Sequence, residues 1–174
     1  GSELCRQLAE CAPSSLVMVD RYENGLHAVA ANLARHAFVR AVIGDVTDAA
    51  RLEAIMSASR PELVLHAAAH KHVPLMEDHP CEAVKNNVIG TGMVLDAAIR
   101  FGARQFVLVS TDKAVRPTSV MGATKRAAEL IVQRAALATD TRCVIVRFGN
   151  VLGSNGSVLH TFMAQVRAGG PVTV

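Results

Sequence analysis

The order of secondary structure along the chain constrains the fold more than any other feature. Short runs of β-branched and other apolar residues alternate with longer segments in which apolar residues recur at helical spacing. The predicted strands cover residues 15–20, 38–43, 62–66, 105–110 and 142–147. The predicted helices cover residues 26–35, 48–59, 80–100, 120–138 and 158–167. Strands that are apolar throughout are typical of a parallel sheet with helices on both faces. We therefore predict a doubly wound, Rossmann-like α/β fold that binds ligands at the carboxyl ends of its strands.

The two ends of the sequence bear on how much of such a fold is present. Residues 1–8 have the pattern of a helix start with no strand before it, where a doubly wound fold has its first, central strand and a glycine-rich turn. Residues 170–174 have the pattern of another strand start. We therefore expect a fragment that is truncated at both ends, with a cloning remnant as the other explanation of Gly1 and Ser2.

Composition excludes several classes of protein. Hydrophobic residues make up 51% of the 174 residues, and mean hydropathy is +0.28, which argues against disorder. The 18 basic residues are scattered and nearly balanced by 15 acidic ones, and there is no tryptophan and one tyrosine for base stacking. Nucleic acid is therefore not an expected partner. The sequence has no apolar run of about 18 residues and no signal-peptide pattern, so we expect a cytoplasmic domain without membrane contact of its own.

The cysteines and histidines form no recognisable metal or disulfide pattern. Four cysteines lie in apolar segments without CxxC spacing, as expected of buried, reduced thiols: Cys5, Cys11, Cys81 and Cys143. Four histidines are close in sequence: His66, His70, His72 and His79. Their spacing matches no helical or finger motif, and no cysteine or acidic ligand falls in step with them. We predict no metal site.

Acidic residues follow the first two predicted strands. Asp20 ends the first strand 19 residues after Gly1, close to the spacing between a glycine-rich turn and the carboxylate that binds a ribose diol. A carboxylate accepts hydrogen bonds from both ribose hydroxyls and repels a 2′-phosphate, which favours NAD over NADP, whereas the neighbouring Arg21 acts in the opposite direction. Asp45 and Val46 follow the second strand and are expected at the adenine edge. The alternative for Asp20 is an ordinary surface aspartate at a strand end.

Small residues follow the third predicted strand. Ala67, Ala68 and Ala69 leave room for a flat ligand to approach the backbone, although tight helix packing would explain the same alanines. If a ligand binds there, we expect His70 and Lys71 to face its phosphates or its sugar.

The segment after the fourth predicted strand carries the strongest chemical signal. Ser110-Thr111-Asp112-Lys113 places hydroxyls, a carboxylate and an amine in a row at the carboxyl end of a strand. A proton-transfer site needs such groups together, and a solvated loop does not. A helix begins eight residues beyond Asp112, and Lys125 projects from its first turns, four residues after Met121.

Six segments together resemble one known family. They are residues 1–7 (GSELCRQ), 66–77 (HAAAHKHVPLME), 85–91 (KNNVIGT), 110–117 (STDKAVRP), 121–126 (MGATKR) and 147–154 (RFGNVLGS). In this order they resemble the UDP-N-acetylglucosamine 4,6-dehydratases of polysaccharide biosynthesis, which are extended short-chain dehydrogenases/reductases. The resemblance is greatest to the large, membrane-anchored branch of that family, and it covers essentially the whole chain.

The chain departs from the family pattern in two places. Of the glycine-rich turn only what resembles its last glycine, Gly1, is present. The YxxxK motif of the superfamily reads Met121-x-x-x-Lys125, and the single tyrosine, Tyr22, is distant in sequence. A thioether cannot accept a proton. The large branch is known for this methionine, so the change favours that branch over a loss of activity.

The resemblance implies a reaction on UDP-N-acetylglucosamine with NAD as the bound cofactor. Oxidation at C4 acidifies the C5 proton, water leaves across C5–C6, and the hydride returns to C6. By resemblance, Thr111 orients the 4-hydroxyl, Lys113 removes the C5 proton and Asp112 protonates the departing hydroxyl. Lys125 is expected to hold the nicotinamide ribose. Because Met121 replaces the tyrosine, we expect a water relay to carry the 4-hydroxyl proton to Asp112.

Other roles follow from the same resemblance. Asn86 is expected beside the nicotinamide, and Asn150, with His70 and Lys71, beside the nucleotide sugar. Residues 1–174 are then expected to be the NAD-binding Rossmann-like domain, without its first strand and without the C-terminal substrate-binding part. The whole enzyme is expected to be a homo-oligomer at the cytoplasmic face of the inner membrane.

Two other functions remain open from the sequence. A 4-epimerase on the same scaffold needs hydride transfer but no acid/base pair for elimination, so Asp112 and Lys113 favour the dehydratase. A non-catalytic nucleotide-sugar-binding module would have no reason to keep Asp112, Lys113 and Lys125 together.

Overall fold

Parallel strands and helices alternate along the chain. The computed structural model describes the backbone of residues 1–151 and 158–172, and the side chains of all of these except 158–161. The strands are β1 Leu16–Asp20, β2 Val39–Ile43, β3 Leu63–His66, β4 Gln105–Val109 and β5 Arg142–Val146. The helices are α1 Ser2–Glu10, α2 Glu23–Asn32, α3 Ala49–Ser59, α4 Val73–Asp78, α5 Pro80–Val84, α6 Gly90–Arg100, α7 Val120–Ala136 and α8 Val158–Arg167. A π-helical turn, Lys85–Ile89, joins α5 to α6, and a 3₁₀ turn, Asp112–Ala114, follows β4.

The strands form two parallel sheets. β1 pairs with β2, and β3, β4 and β5 pair in that order. The register places Asp20 opposite Ile43 and Val109 opposite Val146, so neighbouring strands end at the same level. The chain therefore has the predicted Rossmann-like α/β fold of parallel strands joined by helices, with the described strands divided between two sheets. The segments that follow the strands are gathered at the carboxyl edges.

The main hydrophobic core lies between β4 and three helices. It is built from Leu52 and Met56 of α3, Val94, Leu95 and Ala98 of α6, Ala103 of the segment before β4, Phe106 and Leu108 of β4, and Ala128 and Val132 of α7. Phe106 and Leu108 are fully buried, and burial of such a side chain contributes about 1.5–3 kcal/mol. This packing fixes α7 against β4, and both elements carry residues of the predicted site.

The predicted helix at residues 80–100 contains a turn that the sequence analysis missed. Its backbone widens into the π turn between α5 and α6. Such turns are rare and occur frequently at functional sites. Both asparagines of the turn, Asn86 and Asn87, are buried. Helical periodicity could not reveal the turn, because the residues on either side of it are still helical.

Cys11 and Cys81, which were expected to be buried, are exposed. Four other details differ from the sequence prediction. Helix α4 was not predicted, because six residues are too few to show periodicity. Helix α2 begins at Glu23 rather than near residue 26, because its first turn is polar and exposed and so lacks the apolar signal. Strand residues Ile43 and Val146 are about half exposed, since β2 and β5 lie at sheet edges among the described strands. The predicted strand start at 170–174 has no strand at residues 170–172, and residues 173–174 lie outside the described part.

No helix within residues 1–151 and 158–172 combines the length and the apolar character that a membrane crossing requires.

Candidate active site

A cavity of about 190 Å³ lies beyond the carboxyl ends of β1, β2 and β3. Its lining residues are Val19, Asp20, Arg21, Gly44, Val46, Ala67, Ala68, Ala69, His70 and Asn86. Most of these were predicted as cofactor-binding residues, and the structure brings them together from segments that are far apart in sequence. His70, which the resemblance assigns to the substrate, lies on the wall of this cavity.

Arg21 is held by an acidic and an imidazole partner at this cavity. Its guanidinium lies 3.3 Å from Asp45 Oδ2 and 3.1 Å from His70 Nε2. Hydrogen bonds from the backbone and hydroxyl of Thr47, together with Arg21, lower the pKa of Asp45. Burial and the charge of Arg21 lower the pKa of His70. Asp45 is thus a charge partner of Arg21 at the end of β1.

Asn87 fixes the segment that follows β3, and the sequence analysis did not single it out. Its amide accepts from His70 N at 2.8 Å and donates to His70 O at 3.0 Å. It also donates to Thr124 Oγ1 of α7 at 3.1 Å. Asn87 is fully buried. The sequence signal that could have revealed its role is an asparagine within an apolar helical pattern.

The Thr111-Asp112-Lys113 segment forms a hydrogen-bonded cluster with Asn150. Thr111 Oγ1 donates to Asp112 Oδ1 at 2.9 Å, and Lys113 Nζ lies 3.2 Å from both Asp112 Oδ1 and Asn150 Oδ1. The hydrogen bond from Thr111, followed by that from Lys113, lowers the pKa of Asp112. The cluster is open to solvent, with the side chain of Asp112 56% exposed. A hydroxyl, an ionised carboxylate and an amine thus share one accessible surface, as proton transfer requires. We call this set the acid/base cluster.

Two backbone contacts hold the acid/base cluster in place. Asp112 N donates to Phe148 O at 3.1 Å, which ties the segment to the one that follows β5. On the other side, the start of α7 packs closely against the backbone of Lys113. A Cβ atom on Gly122 would collide with Lys113 O, so only glycine permits this approach.

Lys125 and Met121 lie in different environments on α7. Lys125 is 5% exposed, and its Nζ donates to Val109 O at 2.7 Å at the end of β4. Burial lowers its pKa to about 8, and burial together with the charge of Lys125 lowers the pKa of His66 to about 4. Met121 is buried in an apolar cluster with Met76 and Ala83. The thioether therefore has an apolar packing role in this structure.

The remaining predicted site residues lie apart from these two groups. Gly1 is exposed at the N-terminus of α1 and does not line the cavity, and Lys71 is exposed directly after His70. Within the described part of the chain, no group of three or more histidine, cysteine, aspartate or glutamate side chains could hold a metal ion.

A buried ion network behind the acid/base cluster was also missed by the sequence analysis. Glu129 of α7 is fully buried and accepts hydrogen bonds from Ser110, Arg126 and Arg147. Burial alone would raise its pKa, but the bonds from Arg147, Ser110 and Arg126 outweigh this effect and lower the pKa to about 2. The sequence carries no local signal for this role, since Glu129 is one acidic residue of a helix, four residues after Lys125.

Comparison with known proteins gives one family along the entire chain. A family model described as "Polysaccharide biosynthesis protein" matches residues 1–174. The polysaccharide biosynthesis protein EpsC of Bacillus subtilis is 48% identical over 100% of this chain, which spans 30% of EpsC. The inverting UDP-N-acetylglucosamine 4,6-dehydratase of Campylobacter jejuni is 41% identical over 75% of the chain and 40% of its own length. A UDP-glucose 4-epimerase of Rickettsia canadensis is 39% identical over 76% of the chain and 39% of its own length.

Solved structures share the fold. Pen from Bacillus thuringiensis matches with a TM-score of 0.92 and 32% identity, over 100% of this chain and 56% of Pen. The dTDP-glucose 4,6-dehydratase DesIV from Streptomyces venezuelae, solved with NAD bound, matches with a TM-score of 0.86 and 26% identity, over 99% of this chain and 60% of DesIV.

Proposed function

This chain belongs to the polysaccharide biosynthesis protein family, and from that we propose that it is the NAD-binding and acid/base part of a longer nucleotide-sugar 4,6-dehydratase. The proposed substrate is UDP-N-acetylglucosamine, and the proposed product is a UDP-4-keto-6-deoxy sugar. The observation that carries the proposal is the acid/base cluster of Thr111, Asp112, Lys113 and Asn150 at the end of β4. The length of the relatives supports a longer enzyme, because the matched part of the chain spans 30% of EpsC and 40% of the Campylobacter dehydratase.

The residues of the cavity fit the adenosine half of NAD. The alanines after β3 leave the backbone open to a flat ligand, and Asp20 offers a carboxylate for a ribose diol. Asp45 balances the charge of Arg21, so that a 2′-phosphate gains little from it. When bound, NAD supplies the acceptor that takes a hydride from C4 and the donor that returns it to C6. Lys125, held at Val109 O, is the residue we assign to the nicotinamide ribose.

Proton balance fixes the states of the acid/base pair. Asp112 enters the cycle ionised, in keeping with its lowered pKa, and removal of the C5 proton by Lys113 requires the amine in its neutral form. Oxidation at C4 sends the hydroxyl proton through water to Asp112, because Met121 cannot accept it. Elimination moves that proton to the departing C6 hydroxyl and the C5 proton to Lys113. Lys113 returns its proton to C5 when C6 is reduced, and both residues regain their starting states.

Thr111 and Asn150 orient this pair. We assign Thr111, whose hydroxyl lies 2.9 Å from Asp112 Oδ1, to orient the 4-hydroxyl of the substrate. Asn150 accepts from Lys113 Nζ, and this bond aims the amine while leaving its lone pair available when it is neutral. The test is the product: full-length protein incubated with UDP-N-acetylglucosamine should release a 4-keto-6-deoxy sugar nucleotide.

A UDP-sugar 4-epimerase is the second candidate, because the Rickettsia epimerase is 39% identical over 76% of the chain. An epimerase returns the hydride to C4 and needs no acid for a C6 hydroxyl. Retention of the C6 hydroxyl in the product would identify this reaction.

The cofactor assignment predicts the effect of Asp20→Asn on binding. The substitution replaces one accepting oxygen by an NH2 group and removes the charge, so it weakens the hydrogen bonds to the ribose diol and removes the repulsion of a 2′-phosphate. Hydrogen bonds to charged groups contribute about 1.5–3 kcal/mol, so the ratio of NAD to NADP affinity should fall about tenfold or more. Titration calorimetry of the full-length protein with each cofactor measures this ratio. Glu23→Gln, which neutralises an exposed carboxylate outside the cavity, should leave it unchanged. An unchanged ratio in Asp20→Asn would show that Asp20 does not face the ribose.

A further inference from the structure

Glu129 holds the end of β4 from behind the acid/base cluster. Ser110 Oγ donates to Glu129 Oε1 at 2.6 Å, and both side chains are buried. Ser110 comes directly before Thr111, and its backbone N–H also donates to Val146 O at 2.7 Å. The point at which the acid/base cluster leaves the sheet is therefore fixed on two sides.

The same carboxylate holds the end of β5. Arg147 Nε donates to Glu129 Oε1 at 2.8 Å, and its Nη2 donates to Oε2 at 2.6 Å. Arg147 directly precedes Phe148, whose carbonyl accepts from Asp112 N, and Asn150 follows three residues after Arg147. The buried side chain of Glu129 thus binds the first residue of each of the two segments that meet at Lys113.

We propose that Glu129 is a positioning residue that sets the geometry of Asp112 and Lys113 by holding Ser110 and Arg147. This inference deepens the proposed function and rests on it. Stability alone gives little reason for a carboxylate here, since well-packed apolar residues often replace buried ion pairs without loss of stability. Geometry does give a reason, because a displacement of about 1 Å at a reacting group costs about 10²-fold in rate.

The network offers a matched pair of variants for the test. Ser110→Ala removes one hydrogen bond to Glu129 at the base of the acid/base cluster. Arg126→Ala also removes one hydrogen bond to Glu129, but Arg126 lies on α7 itself, three residues away, and is part of neither segment. Product formation from UDP-N-acetylglucosamine by the full-length protein gives kcat and KM, and thermal unfolding gives the loss of stability for each variant.

We expect Ser110→Ala to lower kcat by about tenfold, with KM close to that of the wild type. This loss is a part of the cost of about 10²-fold that a displacement of about 1 Å causes. Arg126→Ala should keep the wild-type kcat, although its loss of thermal stability should equal or exceed that of Ser110→Ala. A wild-type kcat in Ser110→Ala, or an equal loss in both variants, would overturn the positioning role.

A second readout separates this inference from the proposed function. In a crystal structure of Ser110→Ala, the contact between Lys113 Nζ and Asn150 Oδ1 should be lost, whereas Arg126→Ala should keep it. An unchanged contact in Ser110→Ala would refute the positioning role whatever the reaction is. Failure of the wild-type protein to form a 4-keto-6-deoxy product would refute the proposed function, and the crystal structures would then decide the positioning role alone.

Discussion

Lys113→Ala should block elimination while leaving oxidation at C4 possible, so reduced nicotinamide should accumulate when full-length protein is mixed with UDP-N-acetylglucosamine. The variant lacks the base that removes the C5 proton but keeps Thr111 and Asp112. General acid–base groups contribute about 10²–10⁴-fold, so product formation should fall by that factor. Stopped-flow absorbance of the reduced nicotinamide follows the first step, and product analysis follows the second.

Asp112→Asn should have a different effect, because Asp112 acts in both steps. It accepts the 4-hydroxyl proton through water and later protonates the C6 hydroxyl. Neither step should proceed in the variant, and no reduced nicotinamide should appear. Asp96→Asn, which changes an exposed aspartate of α6 outside the acid/base cluster, serves as the control and should behave as the wild type. Accumulation of reduced nicotinamide in Asp112→Asn at the wild-type rate would rule out the water relay to Asp112. Thr111 or Lys125 would then be the better candidate for the acceptor of the 4-hydroxyl proton.

Glu129→Ala should destabilise the fold by about 3–5 kcal/mol, because removal of one partner from a buried ion network leaves the others unpaired. Both arginines keep partial exposure, with side chains 37% and 39% exposed, so a value near the lower end is expected. Urea unfolding measures the loss. Glu53→Ala is the control: Glu53 pairs with Arg100 at 3.4 Å on the surface, and exposed pairs contribute about 0–1 kcal/mol. Equal losses in the two variants would contradict the account.

Glu129 also makes the stability of the fold depend on pH in a definite direction. The pKa of Glu129 falls from its ordinary value of 4.5 to about 2 in the folded protein. Because its pKa is lowered in the folded state, the ionised carboxylate of Glu129 contributes its full stabilisation above about pH 4.5. This contribution is lost as the pH falls through about 2. The difference in free energy of unfolding between wild type and Glu129→Ala should therefore shrink across this window.

The parts of the fold that depend on local sequence could be predicted. Runs such as Gln105–Val109 and the helical spacing of Val120–Ala136 are local patterns, and they place Asp112 and Lys125 at a strand end and on a helix. The residue types of the acid/base cluster were also evident, because Thr111, Asp112 and Lys113 are consecutive. Motif resemblance added Asn150, which the structure places 3.2 Å from Lys113 Nζ.

The parts that depend on tertiary contacts could not be predicted. Arg21 meets partners 24 and 49 residues away, and no local pattern shows that Asp45 balances its charge. Glu129 resembles any other acidic residue of a helix until the packing of α7 buries it against Ser110. Met121 occupies the motif position of the tyrosine, but its apolar neighbours come from α4 and α5.

The most direct test of the dehydratase proposal follows the hydrogen at C4 of the substrate. Full-length protein is incubated with UDP-N-acetylglucosamine that carries deuterium at C4, and the product is examined by NMR and mass spectrometry. We expect a 4-keto-6-deoxy sugar nucleotide with the deuterium at C6 and the loss of one water. A product that keeps its C6 hydroxyl and carries the deuterium at C4, in the inverted configuration, would contradict it and identify an epimerase.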